Sequence, residues 1–308
     1  MKRYDVVGVG HSCLDRVCTV ENYPREDEST HITSIDIQGG GAVATALVAL
    51  SRLGKKTAFI GNIGSDYVSA EIKSLFESDG VDTSYMVERE DSFGLESFVM
   101  VNPENGSRTK FPERDVNPPL KWDGRLEDAI ASASILHLDG TNWTNAMNAA
   151  RIAHERGTLV SLDGCSMQLD NEKNKALSRQ ADILIMNKKY PLRVSEKASY
   201  EEALLEMSTW GPKIVMCTLG EKGSMAVIDG KIRTFGTFTP KCVVDTTGCG
   251  DVFHGSFLTA YLDGMDTEDA ILFASASSAL KCEEKGGRKG IRTKGEVLDY
   301  LGKNCIKQ

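Results

Sequence analysis

No stretch of this 308-residue chain approaches the roughly 18 consecutive apolar residues that a membrane helix needs, so nothing in it predicts a bilayer anchor. A basic excess is also missing. The chain has 36 Lys and Arg against 44 Asp and Glu, a net charge of -8, which gives no electrostatic reason to expect nucleic acid or an anionic membrane as partner. The eight cysteines (Cys13, Cys18, Cys165, Cys217, Cys242, Cys249, Cys282, Cys305) include no CxxC pair. That argues against a zinc site and a dense disulfide framework, and predicts reduced thiols in a cytoplasmic protein. No GxxxxGK[ST] occurs, which excludes a P-loop, and the five histidines show no HExxH or other ligand spacing, so they read as ordinary core or surface residues. GVGHSC at 8–13 opens like a dinucleotide fingerprint but lacks the third glycine and the later acidic residue, which argues against hydride transfer. The N-terminal MKRYDVVGVG is interrupted by Asp5 and predicts a first strand rather than a signal peptide.

What is present is a hydrophobic content of 41%, enough for a large core. Short Val, Ile and Leu runs (YDVVGVG, KTAFIGNIG, ASILHLDG, TLVSLDG, ADILIMN, PKIVMCTLG) alternate with amphipathic segments such as GAVATALVALSRLG and NAMNAARIAHERG. This alternation predicts βαβ units around a mostly parallel sheet. Several helices are expected to close at a glycine, at Gly54, Gly80 and Gly157. Two regions, about 14–37 and 90–111, read instead as strands and turns with polar alternation, and are expected to pair into a small β lid. From Gly248 onward the chain reads as helices.

CVVDTTGCGDVFHGSFLTAYLDG at 242–264 is the most informative stretch: a strand, a glycine turn and a helix beginning near Gly250 and Asp251. The amides of Gly248, Cys249 and Gly250 converge there without intrahelical partners, and small residues leave an anion free to approach. Asp251 has two readings. It is a helix-capping acid, a common role, or a carboxylate that takes a proton from a hydroxyl beside a phosphate held by those amides.

DTTGCGD at 245–251, with FHG at 253–255, resembles the C-terminal signature of the ribokinase-like, or PfkB, family of carbohydrate kinases. GGGAVATALVALSRLG at 39–54, followed by GNIGSD at 61–66, is similar to the family's N-terminal glycine motif, and CTLGEKG at 217–223 resembles its ATP-holding strand-turn, although alone it reads as a hairpin turn. The resemblance covers essentially the whole chain. It implies one kinase domain over 1–308, a three-layer αβα sandwich with a small β-sheet lid, and ATP-dependent phosphorylation of a sugar hydroxyl with Mg2+. It implies Asp251 as base and Gly248, Cys249 and Gly250 as anion hole. Acceptor contacts fall to Asp15, at the end of the first strand, and to Gly40, Gly41 and Thr45, with Arg108 approaching the substrate or its phosphate. Asn187, Thr218, Gly220 and Gly223 would line the nucleotide, and Asp245 and Thr247 a monovalent cation such as K+.

Two departures stand out: Thr45 replaces an Asn frequent in relatives, and Tyr190 replaces the Glu of the usual Asn-x-x-Glu. SLDG at 161–164, DVFHG at 251–255 and ALKCEEKGGRKGIR at 279–292 look similar to the fructokinase and sulfofructose kinase branch. Thr141 and Ser29 stand where that branch carries basic residues for a sulfonate, so a neutral ketohexose-like sugar is the expected substrate. A nucleoside kinase of the same family and a non-catalytic sugar-binding regulator are the alternatives. A homodimer joined lid to lid is expected, with sugar and ATP as small-molecule partners.

Overall fold

The computed structural model describes residues 2–102, 108–165 and 170–304; the part of the expected lid at 103–107 lies outside them. In chain order the strands are β1 (Tyr4–Val9), β2 (Cys13–Val20), β3 (Ile32–Gly40), β4 (Thr57–Ile63), β5 (Met86–Glu88), β6 (Glu96–Val101), β7 (Arg108–Pro112), β8 (Ala133–Leu138), β9 (Leu159–Gly164), β10 (Ile183–Asn187), β11 (Ile214–Thr218), β12 (Ser224–Ile228) and β13 (Lys231–Phe235). The helices are α1 (Ala42–Arg52), α2 (Tyr67–Ser78), α3 (Gly124–Ala131), α4 (Trp143–Arg156), α5 (Asn171–Ser178), α6 (Tyr190–Ser195), α7 (Tyr200–Ser208), α8 (Cys249–Leu262), α9 (Thr267–Lys281) and α10 (Lys294–Asn304).

Nine strands form one sheet in the order β13-β12-β11-β10-β9-β8-β1-β4-β5, parallel from β11 to β5 and closed at the other edge by two antiparallel strands. Its central strands are apolar on both faces, as burial under two helical layers demands. In β1, Val6 joins one core and Val7 the other; in β10, Ile183 and Ile185 face the first and Leu184 and Met186 the second. The first core is closed by α1, α2, α8, α9 and α10, the second by α3 to α7. The result is the three-layer αβα sandwich. Where the chain crosses from β1 outward in both directions, the strand order reverses, and the carboxyl ends of such strands form a crevice.

Most helix starts carry a side-chain cap. Asp66, Asp123, Asn142, Asp170, Ser199 and Asp266 cap α2, α3, α4, α5, α7 and α9, each side chain accepting a first-turn amide. By contrast α1 and α8 begin at Gly41 and Gly248, which offer no side-chain cap. These two helices pack together closely: a Cβ on Gly255 of α8 would lie 2.5 Å from the Ala46 carbonyl oxygen of α1. Their uncapped N-termini are thereby brought to the same end of the molecule.

The second sheet, in the order β3-β2-β6-β7, draws its strands from the two segments whose pattern broke the alternation. Asp15 lies in β2, not at the end of the first strand, because β1 stops at Val9 and the chain turns before Cys13. On β2 it pairs in register with Gln38 of β3 and Ser97 of β6.

Candidate active site

A cleft of about 550 Å³, within the usual size range of small-molecule sites, runs from the β11–β12 hairpin to the start of α8. It joins Thr218, Gly220 and Gly223 of the hairpin to Cys249 and Gly250, with Phe238, Val243 and Ala279 on its apolar side. The hairpin reading of TLGEKG and the nucleotide reading therefore coexist: β11 and β12 pair antiparallel around a 3-10 turn at Gly220–Lys222, and that turn lines the cleft. Gly223 has a structural reason of its own, since a Cβ there would meet the Phe235 carbonyl. Asn187 ends β10 beside Thr218, but its Oδ1 accepts the amides of Lys189 and Tyr190 and so holds the turn into α6. Tyr190 is buried, its hydroxyl bonded to Ser178 Oγ and the Asn174 carbonyl, and offers nothing to a metal.

At the start of α8, Gly248 adopts φ 74°, the left-handed region, and a Cβ on it would lie 2.8 Å from the Gly287 carbonyl oxygen. A Cβ on Gly250 would meet no protein atom within 4 Å, so open space lies directly before the first-turn amides. Asp251 sits in that first turn without acting as the cap, a place Gly248 holds. It keeps some exposed surface, yet the protein around it is dense enough that burial raises its pKa to about 7, helped by the charge of Asp163 and then Asp139, while Lys110 and His254 pull it down. Burial also acts to raise Asp163, but His254, whose Nε2 is 3.3 Å from its Oδ1, outweighs it and holds the carboxylate below its ordinary range. His137, pushed down to about 3 by burial and by His254, is neutral.

Sequence reasoning missed Asp139, Asp163, His254 and Lys110. Asp139 follows β8 and Asp163 ends β9, so the signal was their place at the carboxyl ends of adjacent strands. His254, read as ordinary, stands one helical turn after Asp251 on the same helix.

On the acceptor side, Asp15 is buried, and a Cβ on Gly40 would fall within 2.3 Å of its Oδ2, so only glycine permits that approach. Burial raises the Asp15 pKa, and Lys110 and Arg288 oppose the rise. Lys110 on β7 pairs with Val99, which pairs with Val17, two residues along from Asp15, so all four side chains share one face of the small sheet. The same ammonium thus acts on both Asp15 and Asp251. Gly41 starts α1, and Thr45, buried in its first turns, lies against Gly287, the residue beneath Gly248. Arg108 reaches across from β7: its Nη1 donates to Thr246 Oγ1 at 2.6 Å and stands 3.9 Å from Asp245 Oδ1.

Asp245 and Thr247, expected beside a monovalent cation, are tied to each other and to the chain around them, while Thr247 Oγ1 is buried without a partner. Asp245 Oδ1 accepts the Thr247 amide at 2.7 Å, Oδ2 accepts the Gly286 amide at 2.8 Å, and its main-chain oxygen accepts the buried ammonium of Lys281 at 2.9 Å. Among the described residues no group of three His, Cys, Asp or Glu is arranged to hold a metal.

A family model described as pfkB family carbohydrate kinase matches residues 3–294. A nucleoside kinase of Methanothermobacter thermautotrophicus is 29% identical over 304 residues, covering 96% of this chain and 94% of that protein. A ribokinase of Haemophilus influenzae is 29% identical with 95% and 97% covered, and a 5-dehydro-2-deoxygluconokinase of Clostridium botulinum is 26% identical with 97% and 93% covered. Among solved structures, Arabidopsis thaliana ribokinase complexed with ribose and ATP superposes with a TM-score of 0.84 at 25% identity, over 97% of this chain and 98% of that one. A ribokinase-type protein of Escherichia coli in complex with ATP and Mg2+ gives a TM-score of 0.82 at 19% identity, over 98% and 100%. No helix among the described residues is long and apolar enough to cross a membrane.

Proposed function

This chain belongs to the PfkB family of carbohydrate kinases, and on that premise we propose that it transfers the terminal phosphoryl group of ATP to a hydroxyl of a ketohexose-like sugar in the cytoplasm, as one kinase domain. One observation carries the reading: the nucleotide-side hairpin and the uncapped start of α8 line a single cleft, with Asp251 in the first turn. The apolar side at Phe238, Val243 and Ala279 takes the adenine, and Thr218 and Gly220 the ribose and phosphates.

Asp15 accepts hydrogen bonds from acceptor hydroxyls, which Gly40, Gly41 and Thr45 allow close to the backbone. The acceptor oxygen attacks the terminal phosphorus, the bond to the bridging oxygen breaks, and the electron pair leaves on ADP. Asp251 takes the hydroxyl proton; a base poised near neutrality does this well. Amides of Gly248, Cys249 and Gly250 donate to the transferring oxygens, and Arg108, fixed on Thr246, adds positive charge beside them. Magnesium, if bound, would neutralise charge on the phosphates of ATP.

Lys110 supports a wider acceptor range than neutral ketohexoses, since its ammonium acts on Asp15 and would attract the carboxylate of a sugar acid. The relative named as a nucleoside kinase keeps nucleosides as a second reading. The outer face of the lid sheet exposes Ile35, Ile37, Phe98 and Phe111, in register across Arg16 and Cys18, and supports a homodimer joined through that face. ADP release measured against a panel of sugars, sugar acids and nucleosides tests the proposal. Turnover with a sugar supports it; turnover with none, in protein that binds ATP, contradicts it.

A further inference from the structure

We infer that Cys249 and Cys282 form a redox-active dithiol, a modification site whose oxidation to a disulfide disables the amide cradle at the start of α8. Their sulfurs lie 3.1 Å apart, joining the first residue of α8 to the residue that ends α9. Both side chains are partly exposed, and both border the nucleotide cleft, so a small oxidant reaches them without unfolding. Their backbones are held in place: the Cys282 carbonyl accepts the amides of Val244 and Asp245, and Ser278 Oγ donates to the Cys249 carbonyl at 2.8 Å. The fold therefore presents the sulfurs to each other instead of leaving them to chance encounter.

The two thiols are not equivalent. A hydrogen bond from Cys249 brings Cys282 down to about 7 against the opposing effect of burial, and the neighbouring Lys281 ammonium adds to the fall. Cys249, hydrogen-bonded to that sulfur and partly buried, is pushed up, and Cys282 Sγ, when protonated, donates to the Ser278 carbonyl at 3.3 Å. Cys282 is thus the nucleophile and Cys249 the resolving thiol. With a peroxide as oxidant, the Cys282 thiolate attacks one peroxide oxygen and the O–O bond breaks. The departing hydroxide takes a proton and leaves as water, with Cys282 now a sulfenic acid. The Cys249 sulfur then attacks the Cys282 sulfur, its proton goes to the sulfenic oxygen, and a second water leaves. Two thiols and one peroxide give one disulfide and two waters.

Bonding at about 2 Å draws the first residue of α8 toward α9, and shifts the turn, closed by the Cys249 amide on the Thr246 carbonyl, from which the cradle is built. The thiol chemistry rests on geometry alone; its effect on turnover rests on the function proposed above. The full chain is treated with hydrogen peroxide, digested without reductant for mass spectrometry, and assayed for ADP release before and after dithiothreitol. A crosslinked peptide pair joining 249 to 282 is expected, lighter by two hydrogens than the free thiols. Turnover is expected to fall by about 10²-fold, the scale of losing one anion-hole donor, and dithiothreitol restores it. Cys282→Ser and Cys249→Ser, each compared with its own untreated activity, form no such crosslink and show no recoverable loss. Absence of the 249–282 crosslink in oxidised wild type, or an equal recoverable loss in Cys282→Ser, overturns the proposal. A crosslink with unchanged turnover overturns the link to the cradle. If untreated protein phosphorylates no acceptor, the functional reading fails, and the crosslink still decides the thiol chemistry.

Discussion

The phosphate and acceptor ends of the proposed site are built in opposite ways. The phosphate end comes from one run of chain, residues 245–251, where an uncapped helix start, a left-handed glycine and a carboxylate follow one another. The acceptor end is assembled from β2, β3, α1 and β7, whose contributing residues range from Asp15 to Lys110 and meet only through strand register. A contiguous site performs the step common to many acceptors; a dispersed one changes strand by strand. That difference predicts that substitutions at the phosphate end depress turnover with every acceptor, whereas those at the acceptor end alter which acceptor is used.

The largest effect belongs to Asp251→Asn, expected to lower kcat by about 10³-fold while calorimetry shows ATP and sugar still binding. The same change stabilises the fold. Asp251 has a folded pKa raised above its ordinary value of 3.8, so its ionisation costs stability above that value, increasingly up to the folded pKa near 7. The variant should therefore melt higher than wild type at about pH 8, and the gap should close below about pH 4. Gly248→Val comes next: a branched side chain at positive φ, against the Gly287 carbonyl, should cost about 10² in kcat with all acceptors alike. If either variant discriminated between acceptors, the division of labour would be wrong.

Gly40→Ala acts at the other end. Its Cβ intrudes on Asp15, so the KM for the acceptor should rise about tenfold with the KM for ATP unmoved. The smallest catalytic effect is expected from Phe111→Asp on the outer lid face, which should convert a dimer to a monomer by light scattering and alter turnover only modestly.

The same contrast explains what the sequence disclosed. The alternation of apolar runs and amphipathic segments predicted the layered sheet because its central strands are buried on both faces, and the glycine turn before α8 marked the phosphate end because its parts are neighbours in the chain. Asp139 and Asp163 were hidden because they become neighbours only when β8 and β9 lie side by side. Lys110 was hidden because its face depends on the register of β7 against β6. Asp15 was assigned to the wrong strand because the break after Val9 is short and carries no proline. Lys281, whose ammonium reaches the Asp245 carbonyl, was hidden because it is distant in sequence.

The most direct test of the central claim is the dependence of kcat/KM on pH from about 5 to about 9, which reports the base in the free enzyme. Asp251 must be ionised to accept a proton, so the rate should fall as pH drops through about 7; Lys110→Met, by removing a charge that lowers that pKa, should move the limb to higher pH. A limb near pH 4, or one that Lys110→Met leaves unmoved, would contradict a base set by burial and by the charges around it.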